Sequence, residues 1–149
     1  MKTKKLKLAL SNYPTGIVCV FSKVKGKDYY DAIIVNSFTS VSLSPPLILW
    51  SLDINSSKYN NFKNTKNQII SILSKNQKNF AIKIAFNKEK VGNLEFKKIL
   101  NSSICTIYCS KHKKIKAGDH LTFLLKIKKI STIKKAKPLV YYKKNFTSI

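Results

Sequence analysis

The chain has 149 residues and sets 29 lysines against 6 acidic side chains, a formal charge of +23, with no arginine anywhere. An apolar fraction of 44% argues for a folded globule, expected as one domain over 1–149, and excludes a disordered polycation. The longest apolar runs, residues 17–21 and 47–50, fall far short of the ~20 residues that span a bilayer. The basic start breaks at Ser11-Asn12-Tyr13-Pro14 before a signal-type apolar core develops, so a soluble cytoplasmic protein without a membrane partner is expected.

In chain order, short runs rich in Ile, Val, Phe and Tyr predict strands over 16–21, 32–35, 47–52, 68–73, 104–109, 121–130 and 139–142. Lys25-Gly26-Lys27-Asp28 reads as a hairpin loop between the first two. Ser56-Ser57 ahead of residues 58–63 reads as a helix N-terminus, because a serine hydroxyl accepts the free amides of a first turn. Residues 76–86 place Phe80, Ile84 and Phe86 at helical spacing, and 94–100 offers another short helix. The strand at 121–130 alternates cleanly, with Leu121, Phe123, Leu125 and Ile127 on one face; Leu124 interrupts the polar face. Many short strands with a few helices predict a mainly β fold, a closed or nearly closed barrel with helical caps.

Cys19, Cys105 and Cys109 make no disulfide framework. On a strand Cys105 and Cys109 share a face but stand ~13 Å apart, too far to bridge or chelate. His112, in Lys111-His112-Lys113-Lys114, is expected in a charged turn, so metal binding is not expected. The lysines are spread from Lys2 to Lys144, and arginine, which reads guanine bidentately, is missing; a solvated lysine surface is favoured over nonspecific anion binding, with no specific nucleic-acid partner.

The segment 36–47, Asn36-Ser37-Phe38-Thr39-Ser40-Val41-Ser42-Leu43-Ser44-Pro45-Pro46-Leu47, stands apart: it holds several hydroxyls and no charge. It is either a polar connection whose hydroxyls satisfy turn amides, or a wall around a polar, flat or phosphorylated ligand.

With Tyr13-Pro14-Thr15-Gly16, Ser56-Ser57, Ile72-Leu73 before Asn76-Gln77, Cys105, Gly118-Asp119-His120 and Pro138-Leu139-Val140-Tyr141-Tyr142, that segment resembles the flavin reductase-like family. The resemblance implies a split β-barrel with a few capping helices, a homodimer, and one flavin per subunit near the dimer interface. It implies FMN, or FAD, as the flavin, NADH or NADPH as electron donor, and a partner monooxygenase receiving reduced flavin. By resemblance Asn36, Ser37, Phe38, Thr39, Ser40 and Ser42 line the ring and ribityl chain, and Ser56 and Ser57 receive the phosphate. Lys58 is either a phosphate counter-charge or one more solvated lysine. His120 is either a turn histidine or the group that contacts the nicotinamide. Ile34, Tyr59, Ser71 and the stretch Thr65-Lys66-Asn67-Gln68 depart from the family pattern.

Three functions follow as expectations. The first is an NAD(P)H:flavin oxidoreductase, in which the cofactors carry the hydride chemistry and the fold supplies binding and orientation. The second is an FMN-binding protein or electron carrier without significant reductase activity. The third is a basic nucleic-acid-binding barrel, whose affinity would fall steeply with salt.

Overall fold

A computed structural model describes residues 3–87, 89–131 and 133–149; Met1 and Lys2 of the basic start lie outside them. The elements in order are helix α1 (Thr3–Ser11), β1 (Thr15–Gly16), β2 (Val18–Lys23), β3 (Tyr29–Val35), β4 (Thr39–Leu43), β5 (Pro46–Asp53), α2 (Tyr59–Asn64) and β6 (Asn67–Ile72). A 3-10 turn (Lys75–Gln77) leads into α3 (Lys78–Asn87), followed by β7 (Val91–Gly92), α4 (Asn93–Ser102), β8 (Cys105–Ala117), β9 (His120–Ile130), β10 (Leu139–Tyr142) and β11 (Asn145–Ser148). The expected mainly β class is observed.

Eight strands form one antiparallel sheet in the order β4-β5-β9-β8-β6-β2-β3-β7, and β1, β10 and β11 form a second of three. The predicted strand at 16–21 is split between them: Thr15 and Gly16 pair with Tyr141 and Val140, whereas Val18 onward pairs with β3 and β6. Ile17 is the crossing point, and its amide donates to the Leu139 carbonyl.

Residues Val18 to Ser22 of β2 are all buried, because the strand has a core on each face. One face joins Val18 and Val20 to Ile48, Trp50, Ile70, Ile107, Phe123 and Leu125 inside the curl of the large sheet. Phe62 of α2 closes that core edge-on against Trp50, at 5.3 Å between ring centroids, and Phe123 stacks on Trp50 at 4.9 Å. The indole N–H of Trp50 donates to Gln68 Oε1 at 2.8 Å, satisfying a donor sealed from water. The other face joins Cys19 and Phe21 to Ala81 and Ile84 of α3, Phe96 and Ile99 of α4, and Leu139 of β10.

Several expectations need correction. His112 is not in a turn: β8 continues through it to Ala117, pairing with β9, with an irregularity in register between Lys111 and Lys113. The reversal comes at Gly118-Asp119, where Gly118 takes φ +60°, a conformation suited to the primed turns of tight hairpins. Phe86 does not join the core of α3; it is 75% exposed, and Ala81 takes the buried position beside Ile84. Within the segment 138–142, Leu139 and Val140 are buried inside the chain, while Tyr142 stays exposed.

A chain so poor in acids satisfies several lysines with backbone carbonyls. The Lys111 and Lys114 ammonium groups both donate to the Lys63 carbonyl in the last turn of α2, and Lys134 donates to Asn101 in the last turn of α4. Carbonyls at a helix C-terminus carry partial negative charge, so they stand in for carboxylates.

Candidate functional site

Strand β3 presents alternate side chains to the inner core and to α3, which packs across its outer side. The helix does not cover the strand completely, and two cavities remain. The first, about 230 Å3, is lined by Ile33, Ile34, Ser56, Ser57, Lys58 and the α3 residues Ile84 and Ala85. The second, about 530 Å3, continues past Ile34 and Ala85 along Val35 and Asn36, under Ile82 and Phe86, to Tyr141 of β10. Sharing Ile34 and Ala85, they make one groove of ligand-binding size with an apolar middle and polar or basic side chains at both ends. Among the described residues no acidic side chain lines either part.

The narrow end is built by the turn after β5. Ser56 N–H donates to the Asp53 carbonyl at 3.0 Å, and the Lys58 amide donates to Ser56 Oγ at 3.3 Å. The serine pair is therefore not the helix cap that the sequence suggests; Lys58 occupies that position, without a side-chain cap, and the serines form the turn before it. Lys58 is no solvated lysine. Its side chain folds inward to 7% exposure and its ammonium donates to the Ala32 carbonyl of β3. An ammonium held at the closed end of an apolar groove, with two hydroxyl residues beside it, suits an anionic group such as a phosphate.

The hydroxyl segment divides. Asn36 is exposed and lines the wide cavity. The Ser37 hydroxyl is occupied within the fold: it accepts from the Ser51 amide at 3.0 Å and donates to the Ser51 carbonyl at 3.1 Å. Phe38 packs against the inner core. Thr39, Ser40 and Ser42 lie on β4, the edge strand of the large sheet, outside both cavities.

His120 opens β9 opposite Asp53 and lines neither cavity. Its Nδ1 lies 2.6 Å from Asp119 Oδ1, a contact that holds the exposed Asp119 carboxyl below its usual range. The hairpin tip is fastened to the turn before Ser56, where the Ile54 amide donates to the Asp119 carbonyl at 3.0 Å.

Cys19 lies across from Ile34 beneath this groove, where burial pushes its thiol up and the nearby Lys58 ammonium offsets part of that shift. All three thiols are free and buried, and burial pushes Cys109 up to about 12. Among the described residues no cluster of His, Cys, Asp and Glu could hold a metal, and no helix is long and apolar enough to cross a membrane.

The family model described as "Flavin reductase like domain" matches residues 10–149. The chain belongs to the flavin reductase-like family. Among its relatives, an actinorhodin polyketide dimerase from Streptomyces coelicolor is 24% identical over 97% of this chain and 85% of its own length. A flavin reductase from Pseudomonas putida is 27% identical over 90% of this chain and 82% of its own. A solved structure, the flavin reductase component of a bacterial two-component tryptophan halogenase, superposes with a TM-score of 0.87 over 99% of this chain and 98% of its own, at 23% identity.

The sequence brought Ser56, Ser57, Lys58 and Asn36 to the groove of this family member, but missed Ile82, Ala85 and Lys78. Alanine and isoleucine on a helix read as core, and only the unfilled space beneath α3 distinguishes them. Phe86 carried a usable signal, since a large aromatic at the end of an otherwise satisfied helical face needs another neighbour.

Proposed function

We propose that the protein is an NAD(P)H-dependent flavin oxidoreductase that binds FMN in the groove between β3 and α3. The observation that carries this is the continuous cavity joined at Ile34 and Ala85 and closed by the buried Lys58. Ser56, Ser57 and Lys58 hold the phosphate, the Ile33–Ile34 stretch flanks the ribityl chain, and Val35, Asn36, Ile82 and Phe86 flank the ring. Apolar walls exclude water from one face of the ring, and the Asn36 amide supplies a donor and an acceptor at its polar edge. When bound, the flavin supplies the hydride acceptor, so the chain itself needs no nucleophile or strong base. His120, which lines neither cavity, is the proposed contact for the nicotinamide. An imidazole there can donate or accept near neutral pH.

The curled sheet and the three-stranded sheet correspond, in this reading, to a split barrel that works as a homodimer. Edge strand β4 supports this, because Val41 is 48% and Leu43 94% exposed beside backbone groups that, among the described residues, have no neighbouring strand. Across such an interface Thr39, Ser40 and Ser42 face the partner's groove rather than their own. Reduced flavin then passes to a partner oxygenase, a reading supported by a 28% identical relative from Acinetobacter baylyi that is the reductase component of a flavin-dependent trigonelline monooxygenase. The cytoplasm is the proposed location.

The test is an absorbance titration of the purified protein with FMN, followed by anaerobic NADH or NADPH. Saturable binding with protein-dependent bleaching of the flavin band is expected. Protein that binds FMN but oxidises the nicotinamide no faster than free flavin is an electron carrier, and the reductase reading then fails.

A further inference from the structure

Tyr142 pairs with Asn145, so the hairpin of β10 and β11 turns on Lys143 and Lys144, at φ 47° and 64°. Two positive φ values in succession usually select Asn-Gly, because a Cβ is crowded there. A strained turn persists only where its surroundings hold it, and such turns cluster at functional sites. Here the Lys143 amide donates to the Ser11 carbonyl at 2.9 Å, and the Asn145 side-chain amide donates to the Lys143 carbonyl at 3.2 Å.

The two lysines are used differently. Lys143 lays its ammonium over the Tyr142 ring, 5.3 Å from the centroid. Lys144 lines the wide cavity of the groove together with Asn36 and Tyr141. The same three residues line a further cavity of about 580 Å3 that runs toward Lys7 and Leu10 of α1, so they stand side by side where the two cavities meet. Lys78, the other lysine of the wide cavity, is shared instead with a pocket at Leu139 and Thr147 that Asn36 does not line. Among the described residues no acidic side chain lines the wide or the further cavity, and the ion pairs involve Lys83, Lys90 and His120. Lys144 therefore brings a charge to Asn36 that no carboxylate neutralises.

We propose, resting on the flavin reading above, that Lys144 is the counter-charge for the reduced flavin ring, a role separate from that of Lys58 at the phosphate. Reduction moves a hydride, one proton with two electrons, from the donor to flavin N5. The donor leaves as its pyridinium cation, and the ring keeps one negative charge spread over N1 and the C2 carbonyl. That charge develops at the polar edge of the ring, the edge assigned to Asn36, whereas the phosphate charge is the same before and after. A cation beside Asn36 thus favours the reduced ring over the oxidised one and raises the potential of the bound flavin.

The experiment measures the dissociation constant of oxidised FMN and the midpoint potential of bound FMN, the latter by anaerobic equilibration with a reference dye. It compares the parent with Lys144→Met, Lys144→Arg and Lys143→Met. Every variant keeps a Cβ in the turn, so the strain is unaltered, and Lys143→Met removes the same charge from the adjacent position. Lys144→Met should bind oxidised FMN within twofold of the parent and reduced FMN roughly tenfold more weakly, which lowers the two-electron midpoint by about 30 mV. Lys144→Arg and Lys143→Met should keep the ratio of the two affinities within twofold of the parent. The role is overturned if Lys144→Met leaves that ratio at the parental value or weakens oxidised and reduced FMN alike. It is equally overturned if Lys144→Arg or Lys143→Met lowers the potential as much as Lys144→Met does. A parent that binds no FMN contradicts instead the flavin reading.

Discussion

The two faces of β2 and β3 are packed to different ends. On the inner face Trp50, Phe62 and Phe123 lock together and are completely buried. On the outer face the cover is α3, α4 and the small sheet, and α3 leaves the strand partly bare along Ile34. The inner core therefore determines whether the sheet holds its curl, and the outer one whether there is room for a ligand. A barrel filled with aromatic side chains has no lumen to offer, so the open space lies in the seam between sheet and helix.

The largest expected effect breaks the inner side. Phe123→Ala should cost ~3–5 kcal/mol in denaturant unfolding, because the cavity it leaves lies against Trp50 and cannot collapse easily. Its lesson is stability: a loss below about 1 kcal/mol would mean the inner face is not sealed as described. Ala85→Trp attacks the outer side. The new indole fills the junction of the two cavities from an exposed helix position, so unfolding should shift by no more than ~0.5 kcal/mol. FMN affinity should nevertheless fall at least a hundredfold, about 2.7 kcal/mol. Equal affinity in the variant would remove the ligand from this seam.

Lys58→Met sharpens the comparison within the groove. Side-chain length is kept and the charge lost, so FMN should bind roughly tenfold more weakly, about 1.4 kcal/mol, measured by fluorescence quenching. Riboflavin, which carries no phosphate, should bind as before. A matching loss for riboflavin would mean that Lys58 supports the fold and not the phosphate. His120→Ala should slow flavin reduction in stopped flow by roughly tenfold with FMN affinity intact; an unchanged rate would make the histidine purely structural.

The smallest effect concerns pH. Cys109 is held up to about 12 by burial, against 9.0 for an ordinary thiol. Below pH 9 the thiol is neutral in both folded and unfolded chains and contributes nothing to the pH dependence. Between about 9 and about 12 only the unfolded chain sheds its proton, so stability should decline as pH rises through that window. Replacement by alanine should flatten this decline, as read from denaturant midpoints across the range.

How much the sequence disclosed follows the same division. Alternation over Leu121–Ile127 announced the inner core, since a period of two with one apolar face is what a half-buried strand requires. The hairpin at Lys25–Asp28 was equally legible: Gly26 takes φ +72°, and the Lys27 amide donates to the Val24 carbonyl. The long β8 was not legible past Cys109, because His112 to Ala117 are all exposed and solvation erases the alternation. α1 was missed for a related reason: none of its residues is buried, so no apolar stripe marks it.

In the site, Ser56-Ser57 and Lys58 were visible as residue types, but whether Lys58 faced water or the groove depended on the Ala32 carbonyl, 26 residues away. The hydroxyls of 37–42 looked alike in sequence. Their separation into Ser37, spent on Ser51, and the exposed edge of β4 follows from sheet order, which no local pattern encodes.

The proposed seat of the flavin is the groove between β3 and α3. Hydrogen exchange with and without saturating FMN tests it directly. Protection should appear in 33–36, in 56–59 and in 82–87, with 121–125 unchanged because those amides are already shielded in the sheet. Protection confined to β4, or none at α3 despite saturation, would contradict it.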